Sequence, residues 1–350
     1  KEPLVRLRGK WIELDATTLA AAQKLFAKPK REQVSLRELV YMAIGARQPE
    51  TEFAFAGVVA EGPIGELLGR LEQRLELTQL VPPAGLRATL RPYQLRGYSW
   101  LAFMRELGLG ACLADDMGLG KTMQTLALIQ RLREQGETRP VLLICPTSVV
   151  ANWQREAERF TPDLRVLVHH GLGRNKGSSF AAEARQHALV LSSYPVLQRD
   201  LDHLQPIEWA IVVLDEAQNI KNPETKQAKA ARSLEAAQRI CLTGTPVENH
   251  VGELWSLMEF LNPDLLPNLA EFRRKFMLPI QVRRDPVATE RLRKITSPFV
   301  LRRLKTDRSI IADLPEKLEA KVFCNLGKEQ ATLYKAVVRE LEVALREVDG

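Results

Sequence analysis

Three short stretches carry side chains whose types and spacing could do chemistry on a polyphosphate. The first is Asp115-Asp-Met-Gly-Leu-Gly-Lys-Thr122. It follows a short apolar run (Ala111–Ala114) and precedes a helical pattern (Met123–Arg133), the context that a phosphate-binding loop requires. Gly118 and Gly120 let main-chain N–H groups turn toward phosphate oxygens with no Cβ in the way. The helix N-terminus adds partial positive charge. Lys121 is expected to reach the β- and γ-phosphates and Thr122 to coordinate Mg²⁺ through its hydroxyl. Asp116, Met117 and Leu119 complete the cradle. The generic pattern G-x-x-x-x-G-K-[ST] has glycine where this chain has Asp115, so a bare pattern search would miss the loop.

The second stretch is Leu214-Asp-Glu-Ala-Gln218, at the end of an apolar run and 94 residues beyond Lys121. An Asp-Glu pair alone is ordinarily a solvated loop. At a strand tip, downstream of a phosphate loop, its two carboxylates have different tasks: Asp215 to hold Mg²⁺, Glu216 to polarise the attacking water. The third is Leu242-Thr-Gly-Thr-Pro-Val-Glu-Asn249, where Thr243, Gly244 and Thr245 follow another apolar run. Their hydroxyls could link the γ-phosphate state to movement of the loop behind them, although Thr-Gly-Thr-Pro taken alone is a common turn.

These side chains need a frame. From residue 88 onward, apolar runs alternate with helix-length stretches: Ala111–Ala114, Val141–Cys145, Arg165–Val168, Ala188–Ser192, Ala210–Leu214 and Arg239–Leu242. That rhythm predicts an α/β fold, a parallel sheet flanked by helices with right-handed crossovers. Ligands of such sheets bind beyond the carboxyl ends of the strands. Residues 1–85 read as a small, mainly helical domain: helical spacing over Ala16–Ala27, Ser35–Ile44 and Glu66–Leu77, with Ser35 and Glu38 forming a capping-box pattern. Val81-Pro-Pro-Ala-Gly reads as a linker. The lobe is expected over 86–262, a basic, partly helical closing segment over 263–316, and a strand (Glu319–Asn325) and long helix (Lys328–Val348) in the remainder.

The bulk numbers agree with a globular protein of two or more domains: 350 residues, 45% hydrophobic and 27% charged. No apolar run approaches the roughly 20 residues that cross a bilayer, so no membrane partner is expected. No secretory leader is visible at Lys1, which reads as the start of a piece of a longer chain. Cys112, Cys145, Cys241 and Cys324 lack metal-ligand spacing and read as buried small hydrophobes of a reducing, cytoplasmic compartment. Net charge is +7, and Asp264–Ile311 alone holds 12 Lys/Arg against 5 Asp/Glu, an equal excess. A solvated basic face or a polyanion partner would each explain it. With the phosphate motifs present the polyanion is favoured, with Arg302 and Arg303 its chosen contacts and fold closure their alternative role.

With these motifs in this order, the chain resembles the SWI/SNF-like branch of helicase superfamily two. The phosphate loop is similar to that branch's form, including the acidic residue in place of glycine. Leu90-Arg-Pro-Tyr-Gln-Leu-Arg-Gly-Tyr-Ser-Trp100 resembles its upstream motif, which implies that Gln94 reads adenine and that the nucleotide is ATP. Cys145-Pro-Thr-Ser-Val-Val-Ala-Asn-Trp153 is similar to its first DNA-contacting motif. Leu242–Asn249 is similar to its third motif, and Phe299-Val-Leu-Arg-Arg-Leu-Lys305 followed by Leu314-Pro-Glu-Lys317 resembles the arginine-rich stretch that closes the first RecA-like lobe. Gln218 stands where many relatives have His, at the position that couples hydrolysis to DNA. Lys317–Val348 resembles only the first strand and helix of the second lobe, which in this family supplies the arginine fingers. The chain as given is therefore expected to hydrolyse ATP slowly, since such a finger is worth ~10³–10⁵ in rate.

The resemblance further implies a duplex gripped mainly through the phosphates of one strand; the chain is expected to act as a monomer. The contacts would come from Thr147, Ser148, Asn152 and Trp153, from Ser192, Ser193 and Tyr194, and from Lys221 and Asn222. Such contacts are independent of sequence and sensitive to salt. Trp153 could equally be a packed core aromatic. The leading expectation is an ATP-driven duplex translocase that remodels DNA-bound proteins. A strand-separating helicase or translocating restriction subunit would use the same lobe. A nucleotide-gated DNA-binding module without turnover is the non-enzymatic alternative.

Overall fold

Every apolar run of the central region forms a strand, and all of them join one parallel sheet. A computed structural model of the chain describes residues 4–7, 10–13, 34–47, 61–71, 77–245, 251–307 and 327–348. The strands of the sheet are β3 (Ala111–Leu113), β4 (Val141–Cys145), β5 (Val166–Val168), β6 (Leu189–Ser193), β7 (Trp209–Asp215), β8 (Ala236–Leu242) and β9 (Val300–Leu301). They lie in the order β5-β6-β4-β7-β8-β3-β9. β4, β6 and most of β7 are buried along their length, which is why they read as continuous apolar runs and not as alternating ones.

Helices connect the strands: α3 (Pro92–Glu106) enters β3, α4 (Lys121–Glu134) leaves it, and α5 (Val150–Phe160), α6 (Gly177–Arg185), α7 (Tyr194–Arg199), α8 (Lys226–Ser233) and α9 (Val251–Leu261) follow. The chain steps one way along the sheet from β3 through β4 to β5, then back the other way from β5 to β9. With right-handed crossovers, the first steps place α4 and α5 on one face and the return steps place the later helices on the other. Helix contacts follow that division: α4 packs beside α3 and α5, and α8 beside α7 and α9. Cys112, Cys145 and Cys241 are buried and unpaired in the strands.

Residues 1–80, expected to be mainly helical, also hold two short strands, β1 (Leu4–Leu7) and β2 (Lys10–Glu13), which form an antiparallel pair. Val5, Trp11 and Ile12 suit a pleated surface, and strands of four residues are too short to display a period. The segment drawn as 263–316 returns to the sheet, since β9 pairs with β3. The lobe's sheet is thus completed by residues beyond 262. α1 (Leu36–Ala43) carries the expected capping box of Ser35 and Glu38, and α2 spans Gly62–Leu71, starting earlier than its apolar spacing suggested, with Pro63 pre-set for a first turn.

α10 (Pro286–Thr296) lies in the basic segment, and α11 (Lys328–Val348) forms as expected. Ile311–Gly350 is a compact unit separate from Lys1–Ile310. Ala16–Ala27, Pro246–Asn249, Leu314–Lys317, Glu319–Asn325 and Cys324 lie outside the described residues. Among the described residues, no helix is long and apolar enough to cross a membrane.

Candidate functional site

Strand register brings the three motifs to one edge. Leu113 of β3 pairs with Leu242 of β8, and Asp215 of β7 pairs with the same Leu242. The loops after Leu113, Asp215 and Leu242 therefore leave the sheet at one level, at its carboxyl end. β8 stands between the other two strands, so the acidic pair faces the phosphate loop from the next strand but one.

The phosphate loop has left-handed backbone at Gly118 (φ +80°) and Gly120 (φ +79°). A Cβ at Gly120 would stand 2.3 Å from Gln94 Nε2, and one at Gly118 would stand 3.2 Å from Lys305 Nζ. Only glycine suits either position. Lys121 Nζ donates to the Asp115 carbonyl at 2.7 Å, so the ammonium is held inside the turn of its own loop. Gln94, at the start of α3, donates to the Leu119 carbonyl at 3.3 Å and accepts from Arg91 N–H at 3.0 Å.

Asp115 explains its departure from glycine. Its carboxylate is fully buried. Oδ1 accepts from Arg303 Nε at 2.8 Å and Oδ2 from Arg303 Nη2 and Gln124 Nε2. Arg303 also donates to the Tyr93 carbonyl and, at 2.7 Å, to Gln124 Oε1. Burying this ion pair is tolerable because each partner's remaining polar groups are satisfied. It ties the phosphate loop to α3, α4 and the segment after β9.

Asp215 is held in place from two sides: Trp153 Nε1 donates to Oδ2 at 2.7 Å and the Glu216 N–H to Oδ1 at 2.9 Å. Burial pushes its pKa up; the Trp153 hydrogen bond and the nearby Lys121 charge oppose that, and Glu216 adds to it. Glu216 sits at φ +49°, a left-handed conformation that costs free energy for a residue with a Cβ. Beyond it runs a relay of hydrogen bonds. Gln218 Nε2 donates to Glu216 Oε2 at 2.7 Å, Thr243 Oγ1 donates to Gln218 Oε1 at 3.1 Å, and Thr245 N–H donates to Thr243 Oγ1 at 3.1 Å.

The geometry also bears on which residues could hold a cation or polyphosphate. Thr122 stands in the first turn of α4, one residue after Lys121 opens it, and Asp215 lies close enough to Lys121 for that charge to lower its pKa. A glycine cradle that no side chain could occupy, a lysine, a hydroxyl and a carboxylate at one edge make an oxygen-and-ammonium donor set suited to Mg²⁺ with phosphate oxygens.

The residues expected on DNA divide by exposure. Thr147, Ser148, Asn152, Asn222 and Arg302 are exposed. Arg303 is corrected: at 4% exposure and committed to Asp115, it closes the fold and cannot meet a phosphate backbone. Trp153, Ser192, Ser193 and Tyr194 are likewise buried. The indole is spent on Asp215, Ser192 Oγ on the His169 carbonyl and Tyr194 Oη on the Asp215 carbonyl, while Ser193 Oγ lies 3.3 Å from His170 Nδ1. In this conformation these four side chains are supports, not surface. Lys221 is mostly covered and ion-paired with Glu253 at 3.4 Å. In the basic segment Arg273, Arg274, Arg283, Arg284, Arg291 and Lys294 are exposed. Sequence reasoning missed Arg303 as the partner of Asp115 and Lys305 above Gly118. The one available signal was the coincidence of a loop aspartate and an Arg-Arg motif.

Comparison with known proteins matches residues 93–348 to the family described as SNF2-related domain, and residues 1–44 to one described as SNF2 Helicase protein. The putative ATP-dependent helicase/translocase YwqA of Bacillus subtilis is 41% identical over 96% of this chain and 38% of its own length. The TATA-binding protein-associated factor MOT1 of Saccharomyces cerevisiae is 38% identical over 75% of this chain and 15% of its own. The Sulfolobus solfataricus SWI2/SNF2 ATPase core, solved in complex with dsDNA, superposes with a TM-score of 0.63 and 48% identity, covering 78% of this chain and 56% of that one. The chain thus spans well under half the length of these curated relatives.

Proposed function

The chain belongs to the SNF2-related family, and from that premise we propose that it is the ATP-binding first lobe of a DNA-dependent ATPase that translocates on duplex DNA and remodels proteins bound there. The observation that carries this reading is the shared sheet edge, where Lys121 and Thr122 on one side and Asp215 and Glu216 on the other open toward the same space. Residues 86–262 with the edge strand β9 form the lobe. The basic residues that follow lie beside the duplex, and the first 85 residues are an accessory domain.

The substrate would be ATP, with adenine against Gln94 and the phosphates in the loop from Asp116 to Thr122. On binding, Lys121 exchanges the Asp115 carbonyl for phosphate oxygens, a stronger charge-assisted contact. Thr122 and Asp215 would hold Mg²⁺, which when bound neutralises phosphate charge and aligns the terminal phosphoryl group. Glu216 has one carboxylate oxygen fixed by Gln218, which orients the other to accept from an attacking water. Through Gln218, Thr243, Gly244 and Thr245, displacement of the loop after β8 changes the hydrogen bond that orients Glu216. That is a physical route for coupling turnover to movement. DNA contacts come from the exposed Thr147, Ser148, Asn152, Asn222 and Arg302, and from Lys221 once it exchanges the Glu253 carboxylate for a phosphate. Trp153, Ser192, Ser193 and Tyr194 shape the edge from beneath.

Phosphate release with and without duplex tests the proposal. Duplex should raise the rate, with no separation of strands. Lys121→Ala should lose nucleotide binding, and Glu216→Gln should bind ATP while turnover falls at least 100-fold. Unchanged rates in both variants would remove the assigned roles. Strand separation would favour a helicase, and DNA affinity that responds to ATP without phosphate release would favour a nucleotide-gated binding module.

A further inference from the structure

The phosphate loop has a second lysine above it. The loop does not stand alone after β3: its main chain runs alongside the segment that follows β9. Ala114 N–H donates to the Leu301 carbonyl at 2.7 Å and Asp116 N–H to the Arg303 carbonyl at 3.1 Å. Lys305 N–H donates back to Asp116 Oδ2 at 2.9 Å. These bonds prolong the parallel pairing of β3 with β9 into the loop. They fix residues 301–305 beside a glycine turn nearly 190 residues earlier in the chain.

That pairing directs the Lys305 side chain over Gly118. Its Nζ lies 3.2 Å from where a Cβ at Gly118 would stand, and its Cε 3.7 Å. No other heavy atom lies within 4 Å of that point, apart from the loop's own chain neighbours. The ammonium is exposed, and among the described residues no carboxylate lies within ion-pair distance of it. The Asp116 carboxylate is engaged by the Lys305 main chain, and Asp115 by Arg303. An ammonium from the segment after β9 thus stands over Gly118, on the loop that also carries Lys121. An anion cradled by the glycine turn would meet this ammonium in a charge-assisted contact.

We propose that Lys305 is a second cation of the nucleotide site, contacting the phosphates of a bound nucleoside triphosphate from above Gly118. This rests on the reading of Asp115–Thr122 as a phosphate loop and names a residue outside that motif. Because Arg303 anchors the same segment through Asp115, Lys305 is held in position by a buried ion pair two residues away. Lys305 touches the substrate; Arg303 is a positioning residue.

Isothermal titration of MgATP into the whole chain tests the idea, with Lys305→Gln, Lys305→Arg and Lys121→Ala compared under one set of conditions. Loss of one charge-assisted phosphate contact predicts about ten-fold weaker ATP binding by Lys305→Gln. Lys305→Arg should remain within about three-fold of the unaltered chain. Neither substitution should move the melting temperature, since the side chain is exposed. ATP bound equally by the unaltered chain and Lys305→Gln would overturn the inference, as would equal losses in Lys305→Gln and Lys305→Arg. Lys121→Ala separates the two levels of argument. If it binds ATP as tightly as the unaltered chain, or if the unaltered chain binds none, the phosphate-loop reading itself fails and takes this one with it.

Discussion

At the scale of single residues, two buried hydrogen-bonding arrangements set the site. Trp153 Nε1 holds one oxygen of Asp215 at 2.7 Å. Trp153→Phe keeps an aromatic ring, smaller than the indole, but removes the donor, so the Asp215 carboxylate loses one of its two hydrogen bonds. Losing such a supporting partner costs about 10- to 100-fold in metal affinity or activity. The expected outcome is a rise of about ten-fold in the Mg²⁺ needed for half-maximal ATP turnover, read from a titration at saturating ATP; an unchanged midpoint would show that the bond is only structural. Arg303 is the second case. Arg303→Met leaves Asp115 as an uncompensated charge at 0% exposure, which should destabilise the fold by about 3–5 kcal/mol. Replacing both partners, Arg303→Met with Asp115→Leu, should recover most of that in urea unfolding, because the penalty belongs to the orphaned charge and not to the absence of the pair.

At the scale of elements, the site depends on how closely α9 and the end of α3 approach β3. Gly110, just before β3, meets the last residue of α9: a Cβ there would stand 2.2 Å from the Leu261 carbonyl oxygen. The adjacent Asn262 completes the seam, accepting from Gly110 N–H at 2.9 Å and donating to its carbonyl at 3.2 Å. A side-chain amide thus pairs with main-chain groups that the strand's neighbours do not reach. Backbone cannot yield as a flexible side chain can, so Gly110→Ala should force the helix and strand apart. The expected cost is about 1–3 kcal/mol, measured by thermal unfolding. A variant as stable as the parent would mean that the helix end is free to shift. Were the seam loose, the phosphate loop, four residues beyond Ala111, would lose its fixed height relative to Asp215.

At the scale of the whole molecule, charge is unevenly spread. The net +7 equals the excess within Asp264–Ile311, and most of its arginines are exposed. Contacts of that kind release counterions, so duplex affinity should fall steeply with salt and depend little on sequence. Arg302→Ala should lower the slope of log affinity against log salt by about 1, as measured by fluorescence anisotropy of a labelled duplex. An unchanged slope would take Arg302 off the duplex. Arg303 should not act in this way, since it faces the interior and any loss of binding it causes will follow loss of fold.

Much of this was legible from the chain alone, for physical reasons that are local. Six of the seven sheet strands announce themselves as apolar runs, β4, β6 and β7 most plainly because a strand buried along its length must be apolar throughout, and only β9, two residues long, is too short to register. The phosphate loop and the acidic pair are visible because their chemistry needs particular residue types within a few positions of one another. What the order of residues does not reveal is which distant groups meet. Register between β3, β8 and β7 places Lys121 and Asp215 at one edge across 94 residues. The pairing of β9 with β3 turns an arginine expected on DNA into the counter-ion of Asp115 and sets a lysine above Gly118. Burial and partnership arise from contacts between segments far apart in the chain, so only the packed sheet could decide whether an arginine, a serine or a tryptophan is a surface contact or an interior support.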